Sequence, residues 1–350
     1  MDIQFTSFSQ IDLNDTFFDS LRADYVGFNE WFVKKQQEDA KAFIMASDAG
    51  LEAFLYLKSE DGQIDDVEPP LPAERRLKIG TFKINPHGTR LGERFIKKIF
   101  DYCIKYKFKE AYVTIFPKHG YLLGLFKKYG FNEIGRKVNQ NGEELVLQKK
   151  FNSLEGELHR DYPLINPNAG KKYLLAIYPG FHTRLFPDSI LNNENFDIIQ
   201  DVSYTNSIHK IYICKMKVSS LRKSDIIVIY RTGDGQGPAY YRAVITSVCV
   251  VEETRRKKDF ASFDEFYAYC QAYSVFTSQE LKEQYDSGDV FVIKMTYNAA
   301  FSRRVNRKIL IEEIGLDPNA YWGFLSLREE QFQEIIKAGA VDESLIINQA

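Results

Sequence analysis

The alternation of apolar and polar residues over 77–131 predicts a strand, a turn, a helix, a second strand and a second helix. The apolar run 77–84 ends at the turn sequence Asn85-Pro86-His87-Gly88. Apolar residues then recur at helical spacing over 91–103, with lysines and arginines on the opposite face. Residues 111–116 are rich in β-branched and aromatic side chains, which predicts a buried strand. The second helix, 121–129, should end at Gly130, where a glycine cap is expected.

The segments on either side of this block complete one predicted domain, residues 1–151. Apolar residues at helical spacing predict one or two helices over 17–37. The runs 41–46 and 51–57 flank Asp48-Ala49-Gly50 and predict a hairpin. The acidic stretch 59–76 contains Pro69-Pro70 and is expected to be a loop without regular structure. Residues 143–148 predict the closing strand of the domain.

A change of pattern after residue 151 indicates a second domain. Residues 152–172 hold prolines and glycines among few apolar runs, so we expect a linker there. The second domain, 173–340, has predicted strands at 173–181, 208–216, 225–230, 241–251 and 290–296. Its predicted helices are 263–273, 278–285 and 328–337. Short strands with a few helices favour the α+β class, here a small β-barrel with helices.

Length and composition agree with two soluble globular domains. The chain has 350 residues, of which 44% are hydrophobic and 14% aromatic, enough for two cores. We expect no membrane partner, because no run of 18 apolar residues occurs, and no secretion signal at the N-terminus. Four single cysteines without metal-ligand spacing indicate a reducing compartment, the cytoplasm, and no metal site.

Charge is distributed unevenly along the first domain. Residues 1–74 hold 5 basic and 16 acidic residues, whereas residues 77–150 hold 16 basic and 6 acidic ones. A cationic cleft in the second segment would attract an anionic ligand such as CoA or a polynucleotide. The alternative is that the two segments neutralise each other within one domain.

The predicted strand, turn and helix at 77–105 can bind an anion at the start of the helix, because the backbone N–H groups of a helix's first turn are exposed. This block resembles the GNAT family of acyl-CoA-dependent N-acetyltransferases, and the resemblance covers residues 1–151. The family's pyrophosphate loop, Arg/Gln-x-x-Gly-x-Gly/Ala, aligns with 87–92, where the last glycine is kept. The resemblance implies acetyl-CoA as the acyl donor. The implied contacts are Phe82, Lys83, Ile84, His87, Gly88, Thr89, Arg90, Leu91, Gly92 and Glu93.

Two departures from the family bear on catalysis. Arg90 replaces the middle glycine of the loop, and it either adds a charged contact to phosphate or blocks close approach. The family's general-acid tyrosine is Phe126 here. We therefore expect His119 to accept the amine proton, directly or through water, and Tyr121 or Tyr129 to replace the missing acid. The alternative for His119 is a cap on the second helix.

The second domain resembles the ASCH-type branch of the PUA-like superfamily. The resemblance rests on three segments: 174–181 with its Pro-Gly, 224–230 with the Gly233-Asp234-Gly235 turn, and 243–248. The resemblance implies that this domain binds RNA or modified bases. Planar cations and aromatic rings suit unstacked bases, so the candidate nucleic-acid contacts are Arg231, Tyr240, Tyr241 and Arg242. The alternative is that the tyrosines complete a core and the arginines are solvated.

Together these features predict an N-acetyltransferase that acts on an amine of an RNA-linked or protein substrate and carries a C-terminal base-recognition domain. Two alternatives stay open. One is a binding protein that keeps the fold and has lost catalysis. The other is a toxin-type enzyme that acetylates aminoacyl-tRNA. The expected partners are acetyl-CoA and RNA or tRNA, and a homodimer is left open.

Overall fold

The computed structural model describes residues 3–48, 50–85, 90–186 and 207–347. The chain divides into two compact units, Met1–Arg160 and Asp161–Ala350. The boundary between them lies inside the segment 152–172. Each unit is built on one mixed β-sheet with helices, which confirms the predicted α+β class. Among the described residues, no helix is long and apolar enough to cross a membrane.

The first unit contains seven strands and five helices in the part that the structure describes. The strands are β1 Gln4–Ser7, β2 Lys41–Ser47, β3 Gly50–Ile64, β4 Leu71–Ile84, β5 Glu110–Ile115, β6 Asn132–Asn139 and β7 Gly142–Lys150. The helices are α1 Asp19–Asp24, α2 Phe28–Gln37, α3 Leu91–Lys105, α4 Gly120–Lys128 and α5 Leu158–Asp161. Short 3-10 helices span Phe8–Gln10 and Thr16–Phe18.

The second unit has six strands and six helices among its described residues. The strands are β8 Lys172–Ile177, β9 His209–Cys214, β10 Ile226–Arg231, β11 Val244–Arg256, β12 Phe291–Asn306 and β13 Phe324–Leu327. The helices are α6 Pro179–Leu185, α7 Ala239–Arg242, α8 Phe263–Cys270, α9 Ser278–Asp286, α10 Arg307–Glu312 and α11 Glu329–Ala338. Short 3-10 helices span Lys257–Asp259 and Glu343–Leu345.

The sheet of the first unit has the order β1-β2-β3-β4-β5-β7-β6, and β4 and β5 run parallel. The predicted hairpin is formed by β2 and β3, and the predicted helices at 17–37 are α1 and α2. These two helices bury phenylalanines against β3, among them Phe18, Phe32 and Phe54, which are fully buried. Buried aromatic side chains of this kind remove a large apolar area from water and so stabilise the unit.

The acidic stretch 59–76 is not the loop that we expected. It continues β3 and β4 into a long hairpin, whose tip pairs with β6 through Glu68 and Arg136. Val67 and Leu71 at the tip pack on Tyr112 and Val146 in the sheet. The prediction was wrong because this hairpin is stabilised by contacts with strands more than forty residues away in the chain, which local composition does not report.

Ion pairs join the acidic segment 1–74 to the basic segment 77–150. Lys137 pairs with Asp66, and Lys118 pairs with Asp24. The Lys78 ammonium lies 3.7 Å from the Glu60 carboxylate. These contacts favour mutual neutralisation over a purely cationic cleft.

The sheet of the second unit has the open order β13-β8-β10-β11-β12-β9, with β8 and β10 parallel. The described strands form no closed barrel, so the predicted barrel is not confirmed. The predicted strand 241–251 begins later, at Val244, because residues Ala239–Arg242 form helix α7. The predicted helices at 263–273, 278–285 and 328–337 are present as α8, α9 and α11.

Gly130 ends helix α4 in the left-handed conformation, as predicted, with a φ of +84°. Its N–H donates to Lys127 O, and the Phe131 N–H donates to Phe126 O, which is the Schellman arrangement. A Cβ at this position would lie 2.3 Å from Arg160 O. We expect Gly130→Ala to lower the free energy of unfolding by about 2–4 kcal/mol, from backbone strain and this clash.

Urea denaturation monitored by circular dichroism measures this loss. Gly124→Ala is the matched control, since Gly124 is an exposed residue of the same helix and a Cβ there meets no atom within 4 Å. Alanine favours a helix interior, so this control should gain about 1 kcal/mol. Equal stability of the Gly130→Ala variant and the wild type would contradict the assigned cap.

His182 makes the second unit sensitive to acid. The side chain is fully buried, and its Nε2 lies 2.7 Å from Thr246 Oγ1. Burial, with smaller effects of Arg231 and Arg304, lowers the pKa of His182 to about 3. The unfolded chain takes up the proton near pH 6.5, so stability is complete above that pH and falls as the pH drops towards 3. At pH 5 the loss should be about 2 kcal/mol.

Melting curves at pH 7 and pH 5 test this effect. We expect His182→Gln to reduce the difference between the two melting temperatures, because glutamine cannot be protonated in this range. The comparison is made within each protein, so a lower stability of the variant at both pH values does not affect it. The same acid-induced drop in both proteins would contradict a buried neutral His182.

Candidate active site between two diverging strands

Strands β4 and β5 lie side by side for a short distance and then diverge. They are paired from Leu77 and Ala111 to Ile79 and Val113. β4 continues to Ile84 and β5 to Ile115, so the ends of both strands are open towards each other. Backbone N–H and C=O groups at such an open edge are available to a ligand.

A β-bulge at Gly80 marks the point of divergence. Tyr56 of β3 faces Thr81 and Leu57 faces Ile79, which leaves Gly80 as the extra residue. A bulge bends its strand and increases the twist, so β4 turns away from β5 at this residue. A Cβ on Gly80 would lie 2.9 Å from Tyr56 Cδ1, so the ring of Tyr56 requires glycine here.

A cleft of about 620 Å³ occupies the space between the two strands. Residues of β4 and β5, the start of α4, and the α1–α2 region line it. Its polar lining consists of Ser20, Asp24, Tyr25, Thr81, Lys83, Asn85, Thr114, Lys118, His119, Tyr121 and Asn141. Its apolar lining includes Trp31, Ile79, Phe82, Ile84, Leu122 and Phe126. A cleft that combines apolar walls with polar groups is typical of a small-molecule site.

His119 lines this cleft at the position just before α4. It occupies the N-cap position, but its side chain makes no capping hydrogen bond. The imidazole therefore does not cap α4. Its Nε2 lies 3.2 Å from Oδ2 of Asp24, which also pairs with Lys118. The His119 side chain is 36% exposed, so it is accessible to a ligand in the cleft.

The structure separates the two tyrosines that were candidates for the general acid. Tyr121 lines the cleft and is 65% exposed. Tyr129 is fully buried, and its hydroxyl donates to the Glu93 carboxylate over 3.0 Å. Phe126, at the position of the family's tyrosine, packs its ring on Phe82 and lines the cleft. Of these two tyrosines, Tyr121 is therefore the one that a ligand in the cleft can reach.

The β4 candidates Phe82, Lys83 and Ile84 all line the cleft. The ammonium group of Lys83 donates to Phe17 O and Ser20 Oγ, and burial lowers the pKa of Lys83. Lys83 therefore connects β4 to the start of α1 as well as lining the cleft.

The start of α3 is described from Arg90 onwards, and the candidates His87, Gly88 and Thr89 lie outside the described residues. Arg90 is exposed and stands at the N-cap position. The Glu93 N–H donates to Arg90 O, so the N–H groups of Leu91 and Gly92 precede the first hydrogen bond of the helix. A phosphate at this end would meet backbone groups, because the Leu91 side chain is in the core.

Two of the α3 candidates have structural contacts of their own. The Glu93 carboxylate accepts hydrogen bonds from Tyr129 and from the Lys128 ammonium, so it anchors α3 to the end of α4. A Cβ on Gly92 would lie 2.7 Å from Leu125 Cδ2 and 3.3 Å from Tyr121 Oη. Gly92 is thus required for the contact of α3 with α4.

Sequence reasoning missed the contribution of α1 and of the β6–β7 turn to the cleft. Tyr25 donates to the Glu144 carboxylate, and burial followed by this carboxylate raises the pKa of Tyr25. The Val26 N–H donates to Asn141 Oδ1 over 2.9 Å. No motif marks these residues, because the contacts span more than a hundred positions along the chain.

In the second unit, the four candidate nucleic-acid contacts differ in accessibility. Arg231 is buried, with 3% exposure. Arg242 donates to both carboxylate oxygens of Asp234, and this pairing lowers the pKa of Asp234. The Tyr240 hydroxyl donates to Glu312, which raises the pKa of Tyr240 to about 12. Tyr241, at 58% exposure, is the member of this set whose ring is open to a ligand.

A cleft of about 620 Å³ in this unit has aromatic walls and borders the Gly233-Asp234-Gly235 turn. Its aromatic lining is Tyr178, Phe181, Tyr212, Tyr230, Phe276, Tyr321 and Trp322. Arg307 stacks on Trp322, with its guanidinium carbon 4.3 Å from the ring centroid. None of the four candidates lines this cleft, although their sequence neighbours Thr232, Gly233 and Ala239 do. Only proximity in the fold collects the rings, which come from five separate segments.

No protein-family model matches this chain, and no curated protein matches it by sequence. Among solved structures, the chain is similar to ASCH from Zymomonas mobilis, with 12% identity over 48% of this chain and 94% of that one, at a TM-score of 0.33. It is also similar to the N-acetyltransferase PseH from Campylobacter jejuni in complex with acetyl coenzyme A, with 14% identity over 43% and 99% and a TM-score of 0.29. A third is Ard1 from Thermoplasma volcanium, with 10% identity over 43% and 96% and a TM-score of 0.33. These likenesses are weak in both identity and TM-score.

Proposed function

We propose that the first unit is an acyl-CoA-dependent N-acetyltransferase. The observation that carries this proposal is the cleft between the diverging strands β4 and β5, with His119 on its wall. A thioester placed between two open strand edges meets backbone hydrogen-bond donors, and an imidazole stands beside it. These are the two requirements for transfer of an acetyl group to an amine.

The residues present fit acetyl-CoA, which supplies the activated acetyl group. Phe82, Lys83 and Ile84 offer the β4 wall of the cleft. The N–H groups of Leu91 and Gly92 offer an anion site for its pyrophosphate, with the exposed Arg90 beside them. In the resembled family, the positions of His87, Gly88 and Thr89 belong to the same phosphate loop.

The chain's own groups account for the proton transfers. A backbone N–H of β5 near Ile115 polarises the thioester carbonyl. As the acceptor amine forms the new C–N bond, His119 takes its proton, and the C–S bond breaks. Tyr121 gives its proton to the leaving thiolate, and proton exchange with water restores both side chains.

An acetyl-transfer assay tests this function. The full chain is incubated with acetyl-CoA and, separately, with aminoacyl-tRNA, with a mixture of peptides and with small polyamines. Released CoA thiol is measured by a thiol reagent, and the acetylated acceptor by mass spectrometry. Acceptor-dependent thiol release supports the proposal and identifies the acceptor class. No release with any acceptor, in a protein that binds acetyl-CoA, would favour the non-catalytic binding protein.

For the second unit we propose recognition of an unstacked base of RNA. The specific observation is the aromatic cleft, where Tyr321 is 67% exposed and Arg307 stacks on Trp322. Aromatic faces and planar cations bind bases without regard to sequence. The two candidate arginines, Arg231 and Arg242, are buried and ion-paired respectively, which favours the aromatic cleft as the base-binding surface.

Replacing Tyr321 with alanine should weaken binding of tRNA by about 1–3 kcal/mol, because one stacking ring is lost. Fluorescence anisotropy with labelled tRNA at two salt concentrations measures it. Tyr241→Ala is the matched variant, because Tyr241 is another exposed tyrosine, lies outside the cleft and is the ring that the sequence alone favours. Weaker tRNA binding by Tyr241→Ala, with unchanged binding by Tyr321→Ala, would place the binding site at Tyr241 instead of in the cleft. No saturable binding at low salt would exclude RNA as the ligand.

A further inference from the structure

We infer that Asp24 is the positioning residue for His119 in the proposed acetyl transfer. This inference rests on the proposed function of the first unit. Asp24 is the last residue of α1, and its side chain is 11% exposed. Its Oδ2 lies 3.2 Å from Nε2 of His119, ninety-five positions further along the chain. Helix capping does not explain the contact, because the His119 side chain caps no helix.

The contact selects one protonation form of the imidazole. A carboxylate oxygen 3.2 Å from Nε2 attracts an N–H there and repels a lone pair, so a neutral His119 carries its proton on Nε2. The other nitrogen, Nδ1, then holds the lone pair that accepts the proton of the acceptor amine. When it does so, the imidazolium is stabilised by the carboxylate that already faces it.

Lys118 moderates the stabilisation of the His119 imidazolium by Asp24. Its ammonium pairs with Oδ1 of Asp24, so the carboxylate is shared between a permanent cation and the imidazole. A carboxylate alone would favour the charged imidazole, which cannot accept a proton, and the neighbouring ammonium opposes this. The other titratable groups of the cleft are Lys83 on β4, Tyr121 on α4, and Tyr25 with its partner Glu144.

Two substitutions should shift the pH profile in opposite directions. Asp24→Asn removes the negative charge, so the acid limb of kcat/KM should move to lower pH, while kcat falls roughly 10-fold or more because the imidazole is no longer oriented. Lys118→Met removes the positive charge, so the same limb should move to higher pH. KM for acetyl-CoA should change little in either variant. A residue with a purely structural role would not produce opposite shifts.

Asp24→Glu controls for disruption of the fold, since it keeps the carboxylate. It should retain the position of the acid limb and lose less activity than Asp24→Asn. Melting temperatures of all three variants report whether the unit remains folded. An unchanged pH profile in a folded Asp24→Asn variant would overturn the inference.

Nitrogen NMR of ¹⁵N-histidine-labelled protein tests the pair without any substrate. The chain has five histidines, and the signal that is missing in His119→Gln belongs to His119. The wild type should show the Nε2–H form of His119, and Asp24→Asn should reduce the preference for this form. An Nδ1–H form in the wild type would overturn the inference. If the Nε2–H form is present and no acceptor is acetylated, the pair stands and the proposed function fails by itself.

Discussion

Replacing His119 with alanine should lower the turnover number for acetyl transfer about 100-fold, while the affinity for acetyl-CoA stays nearly unchanged. The imidazole lies on the cleft wall and is held by Asp24, so its loss removes the proton acceptor and leaves the β4 wall and the start of α3 intact. Steady-state kinetics with a saturating acceptor measures the turnover number. Isothermal titration with acetyl-CoA measures the affinity.

Two further variants make this result specific. Lys127→Ala changes an exposed residue of α4, the helix that follows His119; this residue does not line the cleft, and the variant should keep the wild-type rate. Tyr121→Phe removes the phenol proton alone and should reduce turnover without moving the acid limb of the pH profile. A wild-type rate in His119→Ala would show that the imidazole serves only to hold Asp24 and Lys118.

A tryptophan at Thr114 should abolish binding of acetyl-CoA. Thr114 is a half-buried residue of β5 that lines the cleft, and an indole there would fill the space between the diverging strands. In the wild type, acetyl-CoA at a hundred times its Kd stabilises the folded state by about 2.7 kcal/mol. This corresponds to a rise in Tm of roughly 5 °C or more, which Thr114→Trp should remove.

Val138→Trp is the matched control for this experiment. Val138 lies on β6, is 74% exposed and does not line the cleft, so the same substitution there should leave the Tm rise intact. Differential scanning fluorimetry reports the rise, and calorimetric titration confirms that it reflects binding. A wild-type protein that gives neither heat nor a Tm shift would contradict the acetyltransferase proposal.

Gly92 shows why the choice of variant depends on the tertiary structure. From the sequence, Gly92→Glu would place charge and bulk beside a bound pyrophosphate. In the fold, a Cβ at Gly92 would lie 2.7 Å from Leu125 of α4. Loss of binding in that variant would follow from the broken contact between α3 and α4, so Thr114 is the cleaner position.

The order of elements around the site could be read from the sequence because each is specified locally. Period-3.6 apolar spacing predicts α3, an apolar β-branched run predicts β5, and Gly130 marks the end of α4. These features depend on residues within one or two turns of each other. His119, four residues after the end of β5, was predicted at the site from the family resemblance, and it lines the cleft.

Contacts between distant residues could not be predicted in this way. The hairpin of β3 and β4 is held by Tyr112 and Val146, and His119 is held by Asp24. In the second unit, the tertiary structure pairs Arg242 with Asp234. It also brings aromatic rings from five separate segments together in one cleft. The local pattern determined which elements form, whereas packing over long sequence separations determined which side chains meet, because burial and charge pairing depend on neighbours that no local pattern identifies.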